Sequence, residues 1–300
     1  MRIPVLAAPT ASGKTALSLA LATKLPIEIV SADAMMVYKE MNIGTAKPDA
    51  IELAIAPHHL IDLVEADQEF SVVDYVNLAE AKIAEILQRG NIPFVVGGTG
   101  FYIRGLSDGL PTTPKMDKDL QAELWAIFER DGLEPIQAEL EKHSPSEAIR
   151  CQRNPRRVIR AVEIIRRTGR APNEFKNTKA AFEYNKIILL PNTEVLQKRI
   201  IMRTEKMFAD GLVAEVEALI KKYPKLATAR QAIGYKEIIE YLEGKCSLEA
   251  AKEQIIIATR QYAKRQRTWF KREKDAFVIE DISDSDKLLE VVLDRLEPEL

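Results

Sequence analysis

The sequence predicts an α/β fold in which helices flank a parallel sheet and a helical insertion interrupts the core. Short apolar runs typical of buried strands alternate with helical patterns through residues 3–100. Such alternation favours parallel strands, because the helical crossovers cover both faces of the sheet. The pattern then becomes helical and strongly charged over residues 118–169 and returns to an apolar run at residues 186–190.

The individual elements follow from hydrophobic periodicity. We predict strands at residues 3–8, 27–30, 60–64, 92–96, 186–190 and 276–279. We predict helices at residues 13–24 and 71–89, with a further helix near the end of the chain. Pro111 and Pro114 indicate a boundary. The predicted core therefore covers residues 1–115 and 182–300, and the predicted insertion covers residues 116–181.

Composition excludes several classes of protein. The 300 residues include 43 basic and 45 acidic side chains, so the net charge of −2 favours no particular partner. The two cysteines, Cys151 and Cys246, suit neither a disulfide framework nor a four-ligand zinc site. No apolar run approaches the roughly 18 residues that a membrane span needs. A signal peptide at the start would destroy the loop after the first strand, so we expect a cytoplasmic protein.

A phosphate-binding loop is predicted between the first strand and the first helix. The P-loop pattern requires Gly, four further residues, and then Gly-Lys-Thr or Gly-Lys-Ser. The second half is present here, and Ala8 stands at the first glycine position, which is acceptable if its φ is negative. We therefore predict a P-loop NTPase-like core. Its predicted diphosphate-binding residues are Pro9, Thr10, Ala11, Ser12, Gly13, Lys14 and Thr15.

The chemistry of this loop explains the prediction. Backbone N–H groups and the N-terminus of the helix attract phosphate oxygens. Lys14 adds a positive charge, and the Thr15 hydroxyl is a candidate Mg²⁺ ligand. The motif is specific for polyphosphates and not for one reaction, because kinases, nucleotidases and transferases all use it.

A carboxylate follows the second strand. Asp33 stands at the carboxyl end of that strand, where ligands of parallel sheets bind. Two roles suit this position: a Mg²⁺ ligand, or a general base that accepts a proton from the substrate. A third interpretation is a purely structural one, in which Asp33 caps the helix that follows.

Further motifs occur in order along the chain. They are Gly44-Thr45-Ala46-Lys47-Pro48, Gly97-Gly98-Thr99-Gly100, Arg157-Val158-Ile159-Arg160, Gly234-Tyr235-Lys236-Glu237 and the run from Arg260 to Phe270. Together with the P-loop and the segment around Asp33, they resemble the tRNA dimethylallyltransferase family, also called tRNA isopentenyltransferases. The resemblance spans nearly the whole chain. The zinc finger that eukaryotic members often carry is not matched, so we expect a bacterial-type enzyme.

The resemblance implies a reaction. Members of this family use Mg²⁺ and transfer a dimethylallyl group from dimethylallyl diphosphate to the exocyclic amine of an adenosine. That adenosine lies 3′ of the anticodon in tRNAs that read codons starting with U. By match to the family, Asp33 is the general base, Thr99 meets the bridging oxygen of the diphosphate, and Arg203 also reaches the diphosphate. Elementary chemistry agrees, because a weakly nucleophilic amine needs a base and a departing diphosphate needs cations.

The anticodon stem-loop of tRNA is the predicted partner, in addition to dimethylallyl diphosphate. Two basic runs, one in the insertion and one near the C-terminus, have few acids among them and are typical of phosphate contacts. A solvated helix face is the alternative for each run, and Trp269 and Phe270 suit a core position equally well. The predicted tRNA-binding residues are Asp33, Ala34, Met35, Met36, Arg157, Arg160, Arg260, Gln261, Lys264, Arg265, Gln266 and Trp269. We expect a monomer.

Two departures from the family pattern concern base recognition. The family commonly has Ser and Gln where this chain has Ala34 and Met36. Hydrogen bonds from those side chains are therefore absent here. Ala8 in the P-loop is a third departure, and we expect it to matter least.

Three other functions are weighed against this prediction. Prenyl transfer to a free adenine nucleotide would leave the basic runs without a purpose. A small-molecule kinase would share the P-loop and leave Gly44-Thr45-Ala46-Lys47-Pro48 unexplained. A tRNA-binding protein with a decayed transferase site is supported only by Ala34 and Met36. His58 and His59 precede a predicted strand without further metal ligands, so we expect structural roles for them.

Overall fold

The computed structural model describes residues 2–226 and 228–296 and divides the chain into two compact units. One unit comprises Met1–Ser107 with Ala180–Leu300, and the other is Asp108–Lys179. We call the first the core unit and the second the insertion. No helix in the described ranges combines the length and the apolarity that crossing a bilayer requires.

The core unit is built on a six-stranded sheet. Its strands are β1 (Ile3–Ala7), β2 (Ile27–Ala32), β3 (His58–His59), β4 (Ile92–Gly97), β5 (Tyr184–Leu189) and β6 (Ala276–Ile279). They are arranged in the order β3-β2-β4-β1-β5-β6, and every neighbouring pair is parallel. All residues of β1, β2 and β4 are buried, as expected for central strands covered by helices on both faces. The predicted α/β fold is confirmed.

The register of the three central strands brings their ends together. Gly97 at the end of β4 lies opposite Ala7 of β1 and opposite Ala32 of β2. The phosphate loop, Asp33 and Thr99 therefore leave the sheet side by side. Gly97 allows this close approach, because a Cβ atom there would lie 2.2 Å from the carbonyl oxygen of Ala32.

The predicted strand at residues 60–64 is wrong. The third strand is the two-residue β3, which pairs with residues 29–30 of β2. Leu60 and Asp62 have φ values of 62° and 54°, a left-handed conformation that a strand does not accommodate. Val64 makes only an isolated bridge with Tyr38. The other predicted strands are present, with ends that differ by one or two residues.

Helices cover the sheet and build the second half of the core unit. They are α1 (Lys14–Ala22), α2 (Ala50–Ile55), α3 (Val72–Gln88), α4 (Gly100–Asp108), α9 (Thr193–Ala209), α10 (Leu212–Lys222), α11 (Tyr235–Leu242), α12 (Leu248–Phe270) and α13 (Ser285–Leu296). One hydrophobic cluster lies between the sheet and helices α1 and α13, around Leu6, Phe94 and Val292. A second joins α9, α10, α11 and α12 around Met207 and Tyr235. The N-terminal part of the long helix α12 belongs to this second cluster through Ala251 and Ile255.

The insertion has a hydrophobic core of its own. Its helices are α5 (Lys118–Asp131), α6 (Glu134–His143), α7 (Pro145–Cys151) and α8 (Pro155–Thr168). Helix α8 begins at the Asn154 cap, ends at left-handed Gly169 and buries seven residues on one face. That face packs on Leu124, Ile136 and Leu140 from the other helices.

The insertion begins earlier than its predicted bounds of 116 and 181. The structure places its ends at Asp108 and Lys179. The reason is that the entering and leaving segments pair with each other: Thr178 N donates to Leu110 O over 2.8 Å, and Thr112 N donates to Lys176 O over 3.1 Å. We call these paired segments the stem of the insertion.

Candidate functional site

The phosphate loop has the backbone that its sequence requires. Ala8 is not among the residues with positive φ, so it replaces the usual glycine without strain. Gly13 has a φ of 93° and precedes the first residue of α1. The free N–H groups of the α1 N-terminus therefore follow directly on the loop, as a diphosphate site requires.

Arg199 of α9 supports this loop from the side. Its Nη1 donates to the carbonyl oxygen of Ser12 over 2.8 Å. A Cβ atom on Gly13 would lie 3.2 Å from the same nitrogen. A guanidinium therefore sits directly against the turn that holds Gly13, where it adds positive charge to the site.

Asp33 begins a turn and does not cap a helix, so the helix-capping interpretation is wrong. Its Oδ1 accepts a hydrogen bond from the backbone N–H of Met35 over 2.9 Å, and the nearest following helix starts at Ala50. This bond fixes the direction of the carboxylate and engages one oxygen. The half-buried side chain keeps a second oxygen for another proton donor.

Thr99 is tied to the strand that carries Asp33. Its backbone N–H donates to Ala32 O over 3.1 Å, and its hydroxyl oxygen accepts from the N–H of Ala34 over 3.0 Å. Because the hydroxyl oxygen is already an acceptor, its proton remains available to a substrate oxygen. The structure thus brings the predicted base and the predicted catalytic threonine into one connected turn.

The charges of the site act on one another. Burial lowers the pKa of Lys14, the charge of Asp33 opposes this shift, and Arg203 adds to it. Burial likewise lowers the pKa of Arg203, again opposed by Asp33. The two cations and the carboxylate therefore share one partly desolvated region. Such a region stabilises negative charge that develops during a reaction more strongly than water does.

One face of α12 closes the site from the side of the loops. The hydroxyl of Tyr262 lies in hydrogen-bonding reach of the side chains of Thr99 and Gln266. Burial, and then the charge of Asp33, raises the pKa of this phenol, so it stays protonated at neutral pH. Tyr262 is therefore a neutral hydrogen-bonding group beside the catalytic threonine.

Gln266 does not have the RNA-binding position that the sequence predicted. It is 6% exposed, its Oε1 accepts from Thr10 N over 2.8 Å, and its Nε2 donates to Gly98 O over 2.8 Å. A direct RNA contact would have to break both bonds in a buried place. The face that carries Gln266 points to the two loops.

The opposite face of α12 lines a basic cleft. This cleft of about 450 Å³ lies between α9 and α12, and it collects four cations and no carboxylate. They are Arg260, Lys264, Arg267 and Lys271. The predicted contacts Arg260, Gln261 and Lys264 thus lie together. Arg265 is exposed outside the cleft, with its guanidinium 5.9 Å from the centre of the Tyr262 ring.

Two features of the cleft suit an anionic ligand. The Nε atom of Arg260 is buried and has no hydrogen-bond partner among the described residues. Arg267, which was not predicted as a contact, is held by the carbonyl oxygens of Leu190 and Pro191. One arginine of the cleft is thus left for a ligand and the other is fixed to the end of β5.

Trp269 and Phe270 have different positions. Phe270 is 1% exposed and belongs to the core. Trp269 is half-buried, and its ring packs so closely on Gly100 that a Cβ atom there would lie 2.3 Å from Nε1. The guanidinium of Arg104 stacks 4.1 Å from the same ring. In this structure Trp269 therefore supports the first turn of α4, next to Thr99.

Comparison with known proteins shows the family. The family model described as IPP transferase matches residues 36–273, and a second, isopentenyl transferase, matches residues 1–62. The chain belongs to the IPP transferase family. It is 50% identical over 271 residues to the tRNA dimethylallyltransferase of Thermus thermophilus, covering 90% of both chains.

Solved structures of family members agree with this assignment. The tRNA isopentenylpyrophosphate transferase of Bacillus halodurans is 36% identical, with a TM-score of 0.75, covering 99% of this chain and 96% of that one. A eukaryotic dimethylallyltransferase, solved while acting on tRNA, is 28% identical with a TM-score of 0.79; the match covers 99% of this chain and 80% of that one. The fold of the IPP transferase family is thus shared over its full extent here.

The motif Gly44-Thr45-Ala46-Lys47-Pro48 has a structural explanation in this family member. The Glu215 carboxylate accepts hydrogen bonds from the backbone N–H groups of Asn42, Ile43 and Gly44, and from the Tyr235 hydroxyl over 2.6 Å. Gly44 is required because a Cβ atom there would lie 2.4 Å from the Tyr235 ring. The motif therefore braces the segment that follows Asp33.

The basic run of the insertion is neutralised more fully than its sequence suggested. Carboxylates pair with it: Arg166 pairs with Glu123 and Glu139 from neighbouring helices, and Arg160 pairs with buried Glu163 of its own helix. Arg160 also donates to Pro114 O. Its predicted RNA contact is therefore replaced by a role inside the insertion. Arg157 is exposed and makes no ion pair in the described part of the chain, so it remains a candidate contact.

The remaining candidates are structural. His59 Nε2 lies 2.6 Å from Glu28 Oε2, and His58 Nδ1 lies 2.8 Å from Ala56 O. In the described ranges no cluster of three or more His, Cys, Asp or Glu side chains is suited to hold a metal. Cys151 is buried, and burial raises its pKa to about 11, so it is not a reactive thiolate.

Two residues of the site were missed by sequence reasoning. Arg199 lies one helical turn before Arg203, and this spacing could have indicated a second cation on the same helix. Tyr262 lies one turn before Gln266, in a run that was interpreted through its charges alone. The sequence alone does not show which face of α9 or α12 is buried. It therefore could not predict that either side chain points to the loops.

Proposed function

We propose that this protein transfers the dimethylallyl group of dimethylallyl diphosphate to the exocyclic amine of the adenosine 3′ of the anticodon. The acceptors are tRNAs that read codons starting with U, and pyrophosphate is released. The observation that carries the proposal is the convergence of Asp33, Thr99, Lys14 and Arg203 at one edge of the sheet. Names of relatives in the IPP transferase family support the same reaction class.

The diphosphate end of the donor fits the phosphate loop. Its oxygens are met by the N–H groups at the start of α1, by Lys14 and by Arg203. As the bond between the dimethylallyl carbon and the bridging oxygen breaks, charge accumulates on that oxygen. The free proton of the Thr99 hydroxyl is placed to donate to it.

The residues present fit a Mg²⁺ ion together with the donor. Mg²⁺ is commonly held by one or two protein oxygens and by substrate phosphates, so a cluster of carboxylates is not needed. Thr15, at the start of α1, is the candidate oxygen ligand, and diphosphate oxygens and water would supply the others. When bound, Mg²⁺ would neutralise part of the diphosphate charge.

The acceptor end of the reaction needs a base. The exocyclic nitrogen forms a bond to the dimethylallyl carbon and loses one proton, which passes to the free oxygen of Asp33. The bond from Met35 N keeps that carboxylate in place. An adenosine within a loop has to leave its stack to meet these groups, as for other enzymes that modify bases.

The RNA is proposed to bind along the outer face of α12. The cleft between α9 and α12 offers Arg260, Lys264 and Lys271 without a compensating carboxylate. Such a surface suits the phosphate backbone of a single-stranded loop. We further propose that the protein acts as a monomer in the cytoplasm.

Two rival functions are less well supported. A kinase interpretation is less well supported, because the IPP transferase model matches residues 36–273 and similar relatives are named tRNA dimethylallyltransferases. In a decayed site we would not expect Thr99 to keep its hydrogen bond with Ala34. That bond uses only the backbone N–H of the substituted residue. Transfer to a free nucleotide remains a distinct outcome of the experiment below.

The test is incubation with dimethylallyl diphosphate, Mg²⁺ and unmodified tRNA, followed by mass spectrometry of the nucleosides. We expect one dimethylallyl group on the adenosine 3′ of the anticodon and none on adenosine monophosphate. A tRNA with guanosine at that position and the Asp33→Asn variant are the controls. Modification of the free nucleotide alone, or no modification of a tRNA that binds, would overturn the proposal.

A further inference from the structure

Gln266 connects two loops through a single side chain. Its side chain bonds Thr10 in the phosphate loop and Gly98 in the loop that carries Thr99, both over 2.8 Å. These loops leave different strands, β1 and β4, at the same edge of the sheet. The distance between them sets how far the diphosphate lies from Thr99.

We propose that Gln266 is a positioning residue that holds the phosphate loop and Thr99 at the separation that diphosphate departure requires. This inference rests on the proposed function and assigns Gln266 to the donor end of the site. It also explains why a polar side chain is 6% exposed on a helix whose outer face is cationic.

The chemistry of the amide makes the assignment specific. The group on Thr10 is a backbone N–H and needs an acceptor, whereas the group on Gly98 is a carbonyl and needs a donor. Only a side chain that carries an acceptor and a donor on the same carbon atom bonds both loops at once. The orientation of the amide follows from these partners without ambiguity.

Its surroundings leave no room for other arrangements. A Cβ atom on Gly98 would lie 2.5 Å from Nε2 of Gln266 and 3.1 Å from Ala8 O. Tyr262, one turn earlier on α12, reaches both Thr99 and Gln266. Of these two side chains of α12, Gln266 is the one that spans the two loops.

The decisive variants are Gln266→Met and Gln266→Glu. Methionine keeps the length and removes both hydrogen bonds. Glutamate keeps the acceptor for Thr10 N, but it can donate to Gly98 O only when it is protonated. Gln254→Met, at an exposed position of the same helix, is the matched control.

Three quantities are to be measured for each variant: KM for dimethylallyl diphosphate together with kcat, the Kd of Mg²⁺-pyrophosphate, and the Kd of tRNA. For Gln266→Met we expect donor KM and pyrophosphate Kd to rise about tenfold or more, because two bonds are lost. We expect kcat to fall as well and the Kd of tRNA to change less than twofold. Gln254→Met should match the wild type in all three.

The pH dependence of Gln266→Glu separates positioning from simple structural support. As pH falls and the introduced carboxyl becomes protonated, it regains the donor for Gly98 O. Donor KM of this variant, relative to the wild type at the same pH, should therefore improve at lower pH. This comparison remains available if Gln266→Met does not fold.

Other results would overturn the inference. Weaker tRNA binding with unchanged donor KM would make Gln266 an RNA contact. Unchanged constants for Gln266→Met, or a Gln266→Glu variant without pH-dependent recovery, would remove its positioning role. If the wild type failed to prenylate tRNA, the proposed function would fail, while pyrophosphate binding would still test the connection between the loops.

Discussion

The hydroxyl oxygen of Thr99 accepts a hydrogen bond from the backbone N–H of Ala34, the residue directly after Asp33, over 3.0 Å. The group assigned to the leaving oxygen is therefore hydrogen-bonded to the chain neighbour of the residue assigned to the acceptor proton. Since that bond uses the backbone of residue 34, the alanine that stands there in place of the family's serine leaves it intact.

Thr99→Val should lower kcat by about 10²–10³-fold, because it removes a donor to the developing oxyanion. It keeps the shape of the side chain but also removes the acceptor for Ala34 N. Thr99→Ser, which keeps the hydroxyl, is the control and should lose much less. Single-turnover transfer to tRNA measures the chemical step directly. A valine variant with wild-type kcat would take Thr99 out of the mechanism.

Asp33→Asn should reduce kcat by at least about 10²-fold, because the amide cannot accept the proton of the exocyclic amine. The amide oxygen can still accept from Met35 N, so the turn should be preserved. Equilibrium binding of tRNA and of pyrophosphate should stay close to wild type. Asp33→Ala removes both the base and the hydrogen bond of the turn. If Asp33→Ala lost less activity than Asp33→Asn, the two roles assigned to this carboxylate would be contradicted.

The pH dependence of donor binding should report on Lys14. Burial lowers the pKa of Lys14, and the charge of Arg203 lowers it further. Lys14 therefore loses its positive charge at a pH below its ordinary pKa of 10.5. Pyrophosphate affinity should therefore decline on the alkaline side, as pH rises through that lowered pKa. In Arg203→Gln one lowering cause is removed, and the decline should move to higher pH. A decline at the same or lower pH would contradict the coupling.

Glu28 should make folding sensitive to acid. Its carboxylate, on β2, accepts hydrogen bonds from Arg89 and Asn91 and meets His59. The bond from Arg89 is the largest cause that lowers its pKa from 4.5 to about 2. A carboxyl with a depressed pKa stabilises the fold above its unfolded pKa, here by on the order of 3 kcal/mol, and this is lost as pH falls from 4.5 towards 2.

The measurement is the free energy of unfolding of wild type and Glu28→Gln between pH 2 and 7. The difference should be largest at neutral pH and should shrink below about pH 4.5. Glu194→Gln, at an exposed position, is the control. A difference that is independent of pH would show that the ionised carboxylate is not the source of the stabilisation.

Arg157 and Arg166 should differ in their effect on RNA. Arg157→Ala removes an exposed cation without an ion pair in the described ranges and should reduce the slope of log affinity against log salt by about 1. Arg166→Ala removes a cation that Glu123 and Glu139 already neutralise, so that slope should change little. Equal changes in slope would mean that the ion pairs of Arg166 open when tRNA binds.

The fold and the centre of the site could be predicted because short segments determine them. Gly13 and Lys14 follow an apolar strand and precede a helix, so their place at the sheet edge follows from local sequence alone. Asp33 and Thr99 were found in the same way, at the ends of two further strands. The function of each, however, came from a family resemblance and not from spacing.

The rest depended on contacts between distant parts of the chain. Gln266 bonds Thr10 and Gly98, which lie 256 and 168 residues away, and no local pattern predicts that pairing. Arg166 looked uncompensated because its carboxylate partners, Glu123 on α5 and Glu139 on α6, are remote in sequence. Leu60 failed as a strand residue because its left-handed backbone is set by the turn around it and not by its apolar side chain.

The stem of the insertion has a consequence for the length of the segment that it closes. Leu110 and Thr178 are hydrogen-bonded where the chain enters and leaves the insertion, so whatever lies between them begins and ends at one place. The entropic cost of a longer closed loop rises by only about 0.6 kcal/mol for each doubling of its length. A longer or shorter segment between these two residues would therefore leave the strands that carry the candidate site in place.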